Sequence, residues 1–257
     1  MVLVIGGHIR SGTTLLRNLC NSHPEIEITN EFNYFSGLGK SYTEHRRILL
    51  KRLWGETKSR GIKLPSLFGD YAFVTRYLFK IRGFRQNTID AIAIESTLRS
   101  IFPKAHIIGD KTPRYVFLLD KLVAERGLSN LVIFRDCRDV ASSVLVRIRS
   151  KWRKKHWKYN VDTAEKIAGR WVRGIEIMER NKDKIHIIRY EDLVLEPKRE
   201  LIKLAKWLGV DPAGFSDSMV SNIRKRCIGK YKTALTKEEL RTVMAIAGPM
   251  MEKLGYI

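Results

Sequence analysis

The residues best suited to chemistry stand at the start of the chain. There Gly6-Gly7-His8-Ile9-Arg10-Ser11-Gly12-Thr13-Thr14 follows Met1-Val2-Leu3-Val4-Ile5 and precedes Leu15-Leu16-Arg17-Asn18-Leu19. An apolar run, a glycine-bounded loop and an amphipathic stretch, in that order, read as buried strand, turn and helix start. The spacing from Gly7 to Gly12 is that of a loop whose backbone N–H groups, backed by a helix N-terminus, wrap a phosphate-like anion. ATP- and GTP-binding loops carry a lysine where this chain has Thr13, and the nearest cation is Arg10. The expected anion therefore differs from a nucleoside triphosphate in charge or geometry. A second stretch, Phe134-Arg135-Asp136-Cys137-Arg138-Asp139-Val140-Ala141-Ser142-Ser143, passes from a strand end into a helix. Arg135 offers a fork that matches phosphate oxygens, and Ser143, about two turns on, an adjustable donor. Two separate anion pockets imply a ligand phosphorylated at two places.

Positioning these groups requires a parallel sheet. Ile26-Glu27-Ile28, His106 to Asp110, Leu131 to Asp136 and Ile185 to Tyr190 are short apolar runs ending in polar residues, as buried parallel strands do when their carboxyl ends carry function. Helical patterns fill 139–149, 162–180, 197–208 before Gly209, and 237–254 before Gly255. The expected fold is α/β: a P-loop, doubly wound parallel β-sheet flanked by helices, as one domain over residues 1–257. Residues 37–97 fit the alternation least. They are rich in Lys, Arg and aromatics (Tyr42, Trp54, Phe68, Tyr71, Phe73, Tyr77, Phe79) and read as a helical insertion, either an acceptor-binding lid over the sheet edge or simple packing helices.

Composition narrows the class. The 257 residues suffice for one substantial core. No run approaches the roughly 18 to 20 apolar residues of a membrane span, and the opening run is too short for a signal-peptide core. Cys20, Cys137 and Cys227 are far apart, and no Asn-x-Ser/Thr site occurs, which together point to a reducing, cytoplasmic setting. The 48 Lys and Arg against 27 Asp and Glu give +21. That charge requires nucleic acid to be weighed as a partner, although the basic residues are spread along the chain. Their densest run, Arg147 to Lys158, interleaves Trp152 and Trp157 and reads as a solvated face or as a gate for an anionic acceptor or cofactor.

These motifs together resemble those of sulfotransferases that use 3'-phosphoadenosine 5'-phosphosulfate (PAPS), whose signature pairs a lysine-less P-loop with an Arg and a Ser. Ile9 to Arg17 with His23-Pro24-Glu25 is similar to the family's 5'-phosphosulfate loop, and Arg135 to Ser143 to its 3'-phosphate motif. Gly109-Asp110-Lys111-Thr112-Pro113, Arg189-Tyr190-Glu191-Asp192-Leu193 and Met250 to Tyr256 also match. The Arg-Ser-Gly-Thr-Thr form, Glu31 and the tail from Ile246 resemble the tyrosylprotein branch and its bacterial relatives; Cys137 departs from the usual Pro or Gly.

The resemblance implies PAPS as donor, PAP (adenosine 3',5'-bisphosphate) as product and a hydroxyl-bearing acceptor. It assigns Arg10, Ser11, Gly12, Thr13, Thr14, Arg135, Ser143 and Tyr190 to the donor, and Glu31, Lys111 and Arg10 to catalysis. Glu31 matches the branch's general base, and Lys111 would face the bridging oxygen. A transferred sulfonate carries less charge than a phosphoryl group, so Arg, Lys and N–H donors can stabilise it, and no metal is expected. The rivals are a P-loop kinase, with Asp110 and Asp136 as magnesium ligands, and a non-catalytic basic module that binds anions or nucleic acid.

Overall fold

The computed structural model describes residues 1–60, 64–85, 88–152 and 160–257, without the side chains of 52–60, 64–70 and 226. Five strands, β1 (Val2–Gly7), β2 (Ile26–Asn30), β3 (Ile107–Lys111), β4 (Leu128–Phe134) and β5 (His186–Arg189), form one sheet in the order β2-β3-β1-β4-β5. All pairings are parallel, with Val4 opposite Asp110, Ile5 opposite Lys111, Asn30 opposite Lys111, Gly7 opposite Ile133 and Phe134 opposite Arg189. The carboxyl ends of all the strands therefore lie along one edge, where open parallel sheets bind ligands.

Twelve helices complete the described chain: α1 (Thr13–Cys20), α2 (Tyr42–Arg60), α3 (Leu64–Ile81), α4 (Ala91–Ile101), α5 (Leu119–Leu122), α6 (Cys137–Arg149), α7 (Ala164–Arg180), α8 (Tyr190–Leu195), α9 (Pro197–Leu208), α10 (Asp217–Ser221), α11 (Tyr231–Ala234) and α12 (Lys237–Lys253). Side-chain alternation in β1 sorts them onto two faces. Leu3 and Ile5 pack with Leu16 and Leu19 of α1 and with Leu201, Leu204 and Leu208 of α9. Val2 and Val4 join Ile94 and Leu98 of α4, Val74 and Tyr77 of α3 and Leu49 of α2. On that same face Val132 packs among α6, α7 and α12 through Val140, Val144, Ile167, Trp171 and Val243.

The helix limits follow from caps. Asp136 accepts from Arg138 N and starts α6 at Cys137, two residues before the expected start. Thr163 caps α7 at Lys166 N, Thr236 and Glu239 form a capping box for α12, and Gly209 at φ 72° closes α9.

Residues 37–97 form α2, α3 and most of α4, with one antiparallel bridge between Lys40 and Ile89. Tyr77 of this region stacks on Tyr34 at 4.6 Å, while Phe73 lies 4.7 Å from Phe32. The side chains of Trp54 and Phe68 lie outside the description. So do Arg153, Lys154, Lys155, Trp157 and Lys158 of the basic run. Among the described residues, no helix is long and apolar enough to cross a membrane.

Candidate active site

Backbone geometry builds the first half of the site. Gly7 at φ 153° passes so close to β4 that a Cβ would stand 2.4 Å from the Ile133 carbonyl oxygen. Gly12 at φ 97° caps α1 in a left-handed conformation, and a Cβ there would stand 2.4 Å from the Tyr190 ring. No side chain caps α1. Its first internal bond runs from Leu16 N to Gly12 O at 3.0 Å, which leaves the preceding N–H groups of Thr13, Thr14 and Leu15 aimed out of the helix end.

Those groups open into a cavity of about 430 Å³ lined by Arg10, Gly12, Thr13, Thr14, Arg135, Ser143, Arg147, Tyr190 and Lys230, among others. Arg135 is almost wholly buried and held from several sides. It donates to the Arg10 carbonyl at 3.2 Å and to the Cys227 carbonyl, pairs with Asp139 at 3.3 Å and lies 4.4 Å over the Tyr190 ring. Its Nε is buried without a hydrogen-bond partner, and the residue lines the cavity. Burial pushes the Tyr190 hydroxyl up to about 12 against the opposing effect of Arg135, so this ring is a neutral platform.

Two residues of the loop sit differently from expectation. Arg10, at φ 69°, sends its guanidinium to Ser143 Oγ at 3.0 Å, beside Arg135 and Arg147 rather than beside Glu31 and Lys111. Burial and the charges of Arg147 and Arg135 hold its pKa below the usual arginine value, which marks a strongly cationic compartment. Ser11 does not line the cavity. Its N–H donates to the His8 carbonyl at 3.1 Å, and its side chain is buried beneath the loop near His8, Ile133 and Trp171.

The second half of the site is an ion pair between strand ends. Lys111 is fully buried, and its Nζ lies 2.6 Å from Glu31 Oε1 and 3.3 Å from Thr14 Oγ1. Glu31 follows β2 at φ 60°, a left-handed conformation that costs a non-glycine residue about 1 to 2 kcal/mol. Backbone bonds hold it: Glu31 N donates to the Lys111 carbonyl at 2.7 Å, and the next two N–H groups, of Phe32 and Asn33, donate to Asp110 at 3.0 and 2.9 Å. Asp110 also accepts from Thr29 Oγ1, Thr112 Oγ1 and the Tyr115 hydroxyl.

Beyond Glu31 lies a second cavity, of about 590 Å³, lined by Glu31, Asn33, Ser36, Lys40, Arg47, Ile48, Lys51, Thr112 and Arg114. Lys111 thus stands between two cavities. Thr14 lines one and Glu31 the other.

Several lining residues carry no motif that sequence reasoning could have used. Asp139 accepts from Gly229 N at 2.8 Å and Tyr231 N at 3.1 Å, which fixes the 227–231 segment and places Cys227 and Lys230 in the first cavity. Arg147 of the basic run also lines that cavity. His23 braces the turn at Gly214, with Nε2 2.9 Å from the Asp211 carbonyl and Nδ1 accepting from Glu25 N, so it has no part in either cavity.

The sulfotransferase family model matches residues 3–214. The chain belongs to the sulfotransferase family. It is 24% identical to the nodulation protein NoeE of Sinorhizobium fredii over an alignment of 296 positions, covering 100% of this chain and 66% of that protein. It is 22% identical to protein-tyrosine sulfotransferase 2 of Gallus gallus, covering 99% of this chain and 69% of that protein. The chain thus spans about two thirds of the length of these curated relatives. The sulfotransferase domain of the Synechococcus PCC 7002 olefin synthase shares the fold, with a TM-score of 0.60, 18% identity and coverage of 96% of this chain and 94% of that one.

Proposed function

We propose that this sulfotransferase moves a sulfonate group from PAPS to an acceptor hydroxyl, with Glu31 as general base. The observation that carries the reading is the buried Lys111 ammonium, in contact with Thr14 of the donor-type cavity on one side and with Glu31 of the second cavity on the other. The donor supplies a sulfonate whose S–O bond to the 5'-phosphate breaks as the acceptor oxygen bonds to sulfur, the phosphate departing with the electron pair.

The residues of the first cavity fit such a donor. Thr13, Thr14 and the open N–H groups of α1 suit its 5' end. Arg135, with its unpartnered Nε, together with Ser143, Arg10, Arg147 and Lys230 suits a second, dianionic phosphate. Tyr190 beneath Gly12 offers a flat neutral surface for a base. Ser11 serves from below, as part of the loop's scaffold.

Across the ion pair, Glu31 Oε atoms face the second cavity and accept the acceptor's proton. Lys111 stabilises the charge that gathers on the departing phosphate oxygen, and its burial makes that interaction stronger than it would be in water. The kinase reading loses its magnesium ligands. Asp110 is filled by the five donors described above, and Asp136 is taken by the backbone and guanidinium of Arg138 at 2.7 to 3.2 Å.

Calorimetry in metal-free buffer tests the donor half, comparing PAP with ATP plus magnesium. PAP is expected to bind, more tightly than magnesium ATP. The reverse preference would return the site to the kinases, and salt-sensitive binding of nucleic acid in place of PAP would make the chain a basic scaffold.

A further inference from the structure

The second cavity is lined by cations, most of which carry no ion pair among the described residues. Lys40 lies 3.9 Å from Glu44. Arg47, Lys51 and Arg114, by contrast, make no ion pair or hydrogen bond among the described residues. Arg47 and Lys51 are spaced four apart and therefore share a face of α2. Like charges so placed repel each other, an arrangement relieved by an anion between them.

The basic track continues past Arg114. Arg170, stacked 4.1 Å over Phe117, has its pKa lowered by burial and by the charges of Arg114 and Arg173. The acceptor that fits carries negative charge to meet the cations of this cavity.

The rest of the lining decides between acceptor classes. Among the described residues, Ile48 is the sole apolar side chain in this cavity. The others beside the cations and Glu31 are Asn33, Ser36 and Thr112, which offer amide and hydroxyl groups. The stems of the lysines and arginines bring apolar surface as well, and the amide and hydroxyl groups of Asn33, Ser36 and Thr112 match the hydroxyls of a sugar ring.

We propose that the acceptor is a saccharide bearing carboxylate or sulfate groups, its charges held by Lys40, Arg47, Lys51 and Arg114 and its reacting hydroxyl placed at Glu31. This rests on the sulfotransfer reading above. In the transfer step the hydroxyl loses its proton to Glu31 and its oxygen bonds to sulfur, while the sulfur–oxygen bond to the donor phosphate breaks and PAP leaves.

The test uses the full chain, first titrated with PAP and then, saturated with PAP, with three probes. These are a panel of unsulfated uronic-acid oligosaccharides, the same panel after reduction of the carboxyl groups, and a tyrosine peptide flanked by glutamates. At least one charged oligosaccharide is expected to bind about 10-fold or more tightly than its reduced form and than the peptide, with an affinity that falls as salt is raised. The exposed double variant Arg47→Gln/Lys51→Gln is expected to lose about 10-fold or more of that affinity, the loss of one charge-assisted hydrogen bond, and to keep the PAP affinity of the parent.

Tighter binding of the peptide, equal binding of charged and reduced sugars, or an unaffected double variant would each overturn the saccharide assignment while leaving the donor site intact. A protein that binds no PAP would instead fail at the first titration and remove the sulfotransfer reading along with it.

Discussion

The two cavities on either side of Lys111 are both cationic, but they hold their cations differently. In the first, Arg135 is fixed by two carbonyls, a carboxylate and an aromatic ring, and Arg10 is tied to Ser143. In the second, Arg47, Lys51 and Arg114 are exposed and unpaired among the described residues. Braced donors lose little entropy on binding and demand one geometry, whereas free side chains give up rotamer freedom and tolerate several. The molecule is thus rigid toward one small ligand and adaptable toward another that varies in shape.

The largest effect that sharpens this contrast should come from the ion pair itself. Glu31→Gln keeps an acceptor for Lys111 Nζ yet removes the base, so turnover with PAPS should fall roughly 100- to 10,000-fold while PAP affinity holds. Unchanged turnover would take Glu31 out of the mechanism. Lys111→Met should lower turnover by about 100- to 1,000-fold, the loss of one preorganised donor. Because the two side chains touch, the double variant should lose much less than the product of the single effects, and independent losses would separate the cavities that Lys111 is held to join.

A smaller effect belongs to the braced cavity. Arg135→Ala should cost about 1.5 to 3 kcal/mol of PAP affinity, read by calorimetry, with no change in acceptor affinity. Equal PAP affinity would misplace the second phosphate. Salt provides a further comparison: PAP binding, through buried partners, should weaken less between low and high ionic strength than acceptor binding through exposed ones.

Stability against pH compares the floors of the two regions. His8 beneath the anion loop and His45 on the buried side of α2 both have pKa values lowered to about 4, chiefly by burial, with Arg170 adding to the effect at His8. The unfolded chain binds protons near pH 6.5 that the folded chain refuses until about 4, so stability is full above pH 6.5 and falls as pH drops toward 4. The melting temperature should be lower at pH 5 than at pH 7. His8→Gln and His45→Gln should each reduce that difference, and a difference unaffected by both would place its origin elsewhere.

Much of the donor site was readable because it is local. Gly7 to Thr14 and Arg135 to Ser143 are each continuous strand–loop–helix pieces whose residue types report their own backbone geometry and charge. Helix limits at Thr163, Gly209 and Thr236 follow from caps for the same reason. Asp139 lies within the Arg135–Ser143 motif and at the start of the expected helix. Its role in holding Gly229 and Tyr231, some 90 positions later, has no local pattern. Arg10 was readable as a loop cation, but the direction of its side chain depended on where α6 came to lie.

The sequence by itself determined the order of strands and helices, the absence of a loop lysine and the supply of cations, because strand alternation, helical spacing, glycine placement and charge are properties of neighbouring residues. Only the tertiary structure decided that Lys111 meets both Thr14 and Glu31, that Asp110 and Asp136 are filled by protein donors, and that Arg47, Lys51 and Arg114, unpaired among the described residues, line one cavity with Glu31. Those contacts depend on the parallel register that sets Asn30, Ile5 and Lys111 side by side, and on insertion helices packing over that edge. A register joins residues about 80 positions apart through backbone hydrogen bonds that any side chain can make, so no residue type announces it in advance.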